Sequence, residues 1–402
     1  MLRKDLPVIV CFLLLALPIV AQDENEWSVW MWNNSTQELM RVYEDGSRLI
    51  VPIRLPYGYI IDDYYYWYFP EFTRDGRYMT ICARIGADST VFVYDLMNGS
   101  QVAYFNFTYA HSCYAVFDET GTRLAIGLAW WFDEWFWHVN SRMIVLEIGT
   151  GRVLSELRPG RRHPDTSEWF PFVGYPVTFE GDIVHFDEVP YEGRTRVWEW
   201  NIKQGTFSEM VNYPHPISYL QSRHLLGIGE RIELEVNTEL EYEQTYGLGA
   251  GHKPNVINVL GNDGNRTPIL YSPTSDIRAI SFIDNGRKIA LLTRRDWENV
   301  GWTHYLDRNG GLFALPPEIQ QYRVTEELYG TADGFVLFRE PEDGLDDLIH
   351  YRFEDDDLIS SVLWQAETSD ETWDVVWVTP LEGEPGLRPL TDLEMITFTG
   401  TE

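Results

Sequence analysis

The sequence predicts an all-β chain, on three observations: a phrase recurs at fixed internal spacing, a second phrase follows it, and no long amphipathic helical run interrupts the series. The first phrase runs from Phe72 through Gly76 to Met79, from Phe117 through Gly121 to Leu124, and from Phe282 through Gly286 to Ile289. Each copy then enters a short apolar strand, at Thr80–Cys82, Ala125–Gly127 and Ala290–Leu292. The second phrase is an acidic residue or Asn, an aliphatic residue, two spacers and Gly. It occurs at Asp95–Gly99, Glu147–Gly151 and Asn201–Gly205. Alternating strands precede it, as at Val91–Tyr94, Met143–Leu146 and Arg196–Trp200. Strand, Gly-containing turn and strand is a hairpin signal. Two hairpins per unit make a four-stranded antiparallel sheet, and serial copies of that sheet make a β-propeller.

The units fall in order. Blade one spans Tyr57–Tyr109 and blade two Ala110–Pro159. Blade three, Glu168–Tyr213, keeps only Phe179 and Gly181 of the first phrase. Blade four, Pro214–Ser272, carries the strand Val256–Leu260 and a turn at Asn262–Gly264. Blade five is Pro273–Pro316, and blade six, Pro317–Gln365, contains the strand Leu348–Phe353. Each end supplies half a unit: a hairpin over Trp27–Tyr43, and strands at Trp373–Val378 and Leu393–Phe398. The two halves predict a closing blade, giving seven in all, with six as the alternative. Closure removes the sheet edges that invite aggregation.

These phrases resemble those of WD-repeat and TolB-type propeller repeats, of which this chain reads as an extracytoplasmic member. The resemblance covers most of the chain beyond residue 21. It implies a propeller whose loops between strands two and three share one face with the loops between blades, and whose binding surface lies on that face.

Residues 1–21 read as a leader, and 22–402 as one propeller domain. Leu2-Arg3-Lys4 is a basic start, and Leu6–Ala21 is a 16-residue uncharged stretch. That is short for a membrane span of about 20 residues and fits a secretory signal, with an uncleaved anchor as the alternative. Export to a secreted, periplasmic or cell-surface location is therefore expected. The whole chain carries a formal net charge of −31. Loss of Arg3, Lys4 and Asp5 leaves 29 basic against 61 acidic side chains, a net of −32. This excludes a general nucleic-acid footprint and disfavours anionic membranes, so membrane contact is expected only through the leader. A soluble monomer is expected, with no cofactor and with Ca²⁺ left open. Asn34, Asn98, Asn106 and Asn265 stand in glycosylation sequons. Cys82 and Cys113 sit on strands that can face each other across a blade interface. They make either a disulfide or two buried thiols.

Aromatic and basic residues crowd the expected loops. Tyr64, Tyr65, Tyr66 and Trp67 precede the sheet of blade one. Trp130, Trp131, Trp135 and Trp137 occupy the strand two–three loop of blade two, seven residues longer than its counterpart in blade one. Trp169 lies between blades two and three, and Arg294, Arg295, Trp297 and Trp302 lie in the corresponding loop of blade five. Clusters of Trp, Tyr and Arg in loops mark surfaces for a protein partner or a glycan. The alternative is that they plug the blade interfaces. Catalytic patterns are poor: no G-x-S-x-G elbow, H-E-x-x-H, C-x-x-C or EF-hand phrase occurs. The sequence therefore predicts a non-enzymatic binding or interaction scaffold, with a carbohydrate-binding or carbohydrate-active propeller as the alternative.

Overall fold

The computed structural model describes residues 27–398 apart from 34–35, 37, 62–69, 109, 111, 132–138, 158–175, 189–195, 210–223, 226–228, 236–254, 262–264, 274, 295–299, 321–326, 341–343, 355–356 and 369–371. Among the described residues, seven sheets, each built on antiparallel strands, follow one another along the chain as the blades of a β-propeller. The first strand of a blade packs against its neighbours, and the fourth faces outward. Tyr78–Ile85 and Asp88–Asp95 are almost wholly buried, whereas Ser100–Phe107 alternates toward solvent. In blade one the inner strand is split into Ile60–Ile61 and Glu71–Phe72, both paired with Tyr78–Ile85.

The apolar runs follow from burial on both sides of each sheet. Successive side chains point to opposite faces. Met79, Ile81 and Ala83, with Phe92 and Tyr94, pack toward the closing blade. Their alternates Cys82, Val91 and Val93 pack toward blade two. Each such aliphatic or aromatic side chain contributes roughly 1.5–3 kcal/mol when fully buried. The core is thus a ring of apolar seams between blades. Cys82 and Cys113 are joined as a disulfide across one seam, with their Cα atoms 5.9 Å apart.

The two recurring phrases are the two turns at one end of each sheet. Gly76, Gly121, Gly181 and Gly286 sit between strands one and two with φ of +56° to +80°. Gly99, Gly151 and Gly205 sit between strands three and four at +65° to +68°. Only glycine adopts that backbone without steric cost. The turns are tied together: Leu96 N–H donates to Arg77 O at 2.8 Å, Ile148 to Thr122 at 2.9 Å and Ile202 to Asp182 at 2.9 Å. The aliphatic residue of the second phrase therefore reaches the residue just after the glycine of the first. At Gly76 the demand is double, because a Cβ there would meet the Trp377 ring at 2.8 Å.

The ends close the ring in a different ratio from the expected halves. Ser28–Asn33, Glu38–Tyr43 and Arg48–Pro52 give three strands, and Trp373–Val378 gives the fourth and innermost. The strand Arg48–Pro52 is mostly exposed. Leu393–Phe398 does not join this blade. Ile396–Thr397 pairs in parallel with the outer strand Arg266–Tyr271 of blade four. Between them the tail crosses blades six, five and four at the glycine-turn end. Leu381 meets the backbone of blade six near Gly330. Gly383 N–H donates to Asn285 Oδ1 at 3.1 Å, and Glu384 pairs with Arg287. Leu390, Leu393 and Phe398 are buried in the seam of blades four and five.

Candidate functional site

The predicted loop-face residues divide into three groups. Tyr64, Tyr65, Tyr66, Trp67, Trp135, Trp137, Trp169, Arg295 and Trp297 lie outside the described residues. Trp130 and Trp131 are strand residues, since the second strand of blade two extends to Trp131 and pairs it with Val139. Arg294 likewise ends a strand, opposite Asp276 and Val300. Trp302 is a correction. It lies within Val300–Asp307, opposite Leu292, and is 1% exposed. It packs with Leu315, Ile319 and Phe335 between blades five and six, where an indole contributes more as core than at a surface.

A cleft of about 880 Å³ opens at the glycine-turn end, where the closing blade meets blades six and one. The closing blade supplies Trp30, Arg41, Tyr43, Glu44, Asp45, Ser47 and Leu49. The turns of blade one supply Asp75, Gly76, Arg77, Leu96 and Met97, and blade six supplies His350, Arg352 and Ser361. Sequence reasoning missed this site. Its signal is the strand Glu38–Tyr43, where Leu39, Arg41 and Tyr43 share a face. An arginine there holds a phase otherwise given to apolar residues.

Trp30 and Arg41 are direct cross-strand partners. The guanidinium lies 5.4 Å from the Trp30 ring centroid and 5.0 Å from that of Tyr43. Arg41 Nε donates to Ser28 Oγ at 2.8 Å. Arg41 is 8% exposed, and burial pulls its pKa below the ordinary arginine value, with Tyr43 opposing. No carboxylate faces it among the described residues. The other cations of the cleft are matched: Arg77 with Asp95 at 3.3 Å, Arg352 with Glu354, and His350 Nε2 with Asp333 at 3.1 Å. Trp30 Nε1 is buried with no hydrogen-bond partner among the described residues. Burying such groups unpaired is costly, so they point to a missing partner.

Two rim carboxylates are fixed by their turns. Asp45 Oδ1 accepts from Ser47 N–H at 2.8 Å. The Ser47 bonds hold the Asp45 carboxyl below its usual range. Asp75 Oδ1 accepts from Thr73 Oγ1 at 2.6 Å and from Arg77 N–H at 3.0 Å.

A second electrostatic feature lies on the inner strands. Burial pushes Glu71 up to about 8. Burial also raises Glu327 to about 7, with Asp374 and Glu340 adding and the hydroxyl of Tyr329 opposing. Tyr329 is itself pushed well above the usual tyrosine value, first by burial and then by Glu327. Among the described residues, no three His, Cys, Asp or Glu side chains are placed to hold a metal ion. No described helix is long and apolar enough to cross a membrane.

No protein-family model matches the chain, and no curated protein matches it in sequence. Solved structures do. Prolyl oligopeptidase B from Galerina marginata is similar at a TM-score of 0.51 and 9% identity, over 85% of this chain and 49% of that one. TolB from Acinetobacter baumannii aligns at a TM-score of 0.36 and 13% identity, over 88% of this chain and 65% of that one. The β-propeller domain of the Trilobed protease from Pyrococcus furiosus aligns at 0.41 and 11%, over 84% and 91%. The chain spans about half the length of the peptidase and under two thirds of TolB. At these identities the likeness speaks to architecture alone, and the architecture is that of a β-propeller.

Proposed function

We propose that this chain is an exported, non-enzymatic β-propeller that works as a binding module, with a ligand seated in the cleft between the closing blade and its neighbours. One observation carries the reading. Among the described residues Arg41 is a buried cation without an acid, stacked on the Trp30 ring in the wall of an open cleft. A fold maintains such a cation at a cost when a ligand completes it. We assign the aromatic segments around Tyr64–Trp67 and Trp135–Trp137 to a protein partner.

The test is a thermal-shift panel of peptides, amino acids and oligosaccharides on the full chain, with product analysis of every well. A ligand at a hundred times its Kd stabilises a folded protein by about 2.7 kcal/mol. A rise in Tm that Arg41→Met removes, with the ligand recovered intact, is the expected result. Turnover of any panel member would overturn the non-enzymatic reading, and shifts that survive Arg41→Met would move the site elsewhere.

A further inference from the structure

The charges of the cleft narrow what fits it. In its wall is one buried guanidinium, hydrogen-bonded through Nε to Ser28 and also to the side chain of Tyr43, and facing no carboxylate among the described residues. One such cation compensates one negative charge, in the planar two-donor geometry that suits a carboxylate. The Trp30 ring lies against this guanidinium, its centroid 5.4 Å away, and helps to hold it in place. At the rim stand Asp45 and Asp75, their carboxylates held by backbone N–H groups of their own turns and with capacity to accept more. The rim guanidiniums of Arg77 and Arg352 are already paired with Asp95 and Glu354, so beside Asp45 and Asp75 a cationic group is attracted and a second anionic group is not.

Resting on the reading of this cleft as the ligand seat, we propose that it takes a zwitterion of the amino-acid type. The ligand's α-carboxylate lies against Arg41, and its ammonium or basic side chain lies toward Asp45 and Asp75. Free amino acids and short peptides share this chemistry, and the cleft volume suits a ligand of up to a few residues.

Titration of the full chain, followed by tryptophan fluorescence and calorimetry, tests this with four probes: free lysine, Ala-Ala-Lys, its C-terminal amide, and Ala-Ala-Ala. The tripeptide acid is expected to bind, and amidation to weaken it at least tenfold, because a charge-assisted carboxylate contact is lost. Asp75→Asn is expected to weaken Ala-Ala-Lys several-fold and Ala-Ala-Ala much less. Binding of lysine but not of the tripeptide identifies the free amino acid as the source and still supports the class. Arg41→Met is expected to abolish binding with Tm unchanged or raised, since it removes an uncompensated buried charge. A lowered Tm there would make Arg41 a structural residue and overturn the proposal. Equal affinity of acid and amide, or no binding of any acid probe, also overturns it. If a neutral oligosaccharide instead binds and is lost in Arg41→Met, the cleft reading stands and the zwitterion class alone fails.

Discussion

Glu230 and Arg308 form a buried ion pair at 2.6 Å beneath the C-terminal tail, and both side chains also hold backbone. Glu230 Oε1 accepts from Leu390 N–H at 2.6 Å. Arg308 Nε donates to Gly286 O and Nη1 to Arg388 O, both at 2.6 Å. The pair thus rivets blades four and five to the chain that passes over them. Replacing Arg308 by Ala leaves Glu230 buried and unmatched, which costs about 3–5 kcal/mol. Urea denaturation of R308A against wild type checks this, and proteolysis should begin in residues 380–398.

The inner acids make stability depend on pH in an unusual direction. Glu327 and Glu71 have folded pKa values of about 7 and about 8, raised above the ordinary 4.5. A raised folded pKa means the native state holds the proton more tightly. The associated stability is full below about pH 4.5 and lost as pH rises through 7 to 8. The urea midpoint should therefore fall between pH 5 and pH 8. Glu327→Gln should recover on the order of 2–3 kcal/mol at pH 8 and flatten the slope.

The Cys82–Cys113 bridge closes a loop with a sequence separation of 31. Constraint of the unfolded chain over that length contributes about 3–4 kcal/mol in the chain-entropy account. The C82A/C113A double variant should lose that much in chemical denaturation. Both cysteines are almost fully buried, so thiol labelling after mild reductant should track global unfolding.

Gly76→Ala should lower stability by about 1–3 kcal/mol, because it combines a positive φ with a clash against Trp377. Gly205→Ala shares the positive φ and meets nothing within 4 Å. It should cost less, and the difference read by thermal denaturation isolates the Trp377 contact.

Much of the ring was legible because each blade repeats a physical demand. Phe117 and Phe282 are core, Gly121 and Gly286 need left-handed backbone, and Asp118 ties its turn by accepting from Thr122 and Arg123 N–H at 2.9 Å. Such local requirements leave marks in a single segment. The third strand of the closing blade, Arg48–Pro52, left little mark because it is an exposed outer strand ending in proline. The placement of Ile396–Thr397 was hidden for another reason: it is set by a blade more than a hundred residues earlier in the chain. Trp302 looked like a loop anchor because it follows Arg294, Arg295 and Trp297, yet its strand begins at Val300 and turns it inward. The cleft was illegible as a unit because Trp30, Arg41, Asp75 and His350 meet only after the ring closes.

The three-to-one division of the closing blade has a consequence for how the molecule is made. Ser28–Asn33 pairs with Trp373–Val378, and the later segment is the innermost strand. On emerging from a ribosome or a translocation pore, the first three strands lack their central neighbour until nearly the whole chain has followed. Contacts of such sequence separation are slow to form and carry a large loop-closure cost. The nascent chain therefore presents Val29, Met31 and Leu39 to whatever holds it, and the last step of assembly inserts a strand at the hub. That same step brings Trp377 against Gly76, whose turn lines the cleft, so a protein still missing the inner strand also lacks one support of that cleft.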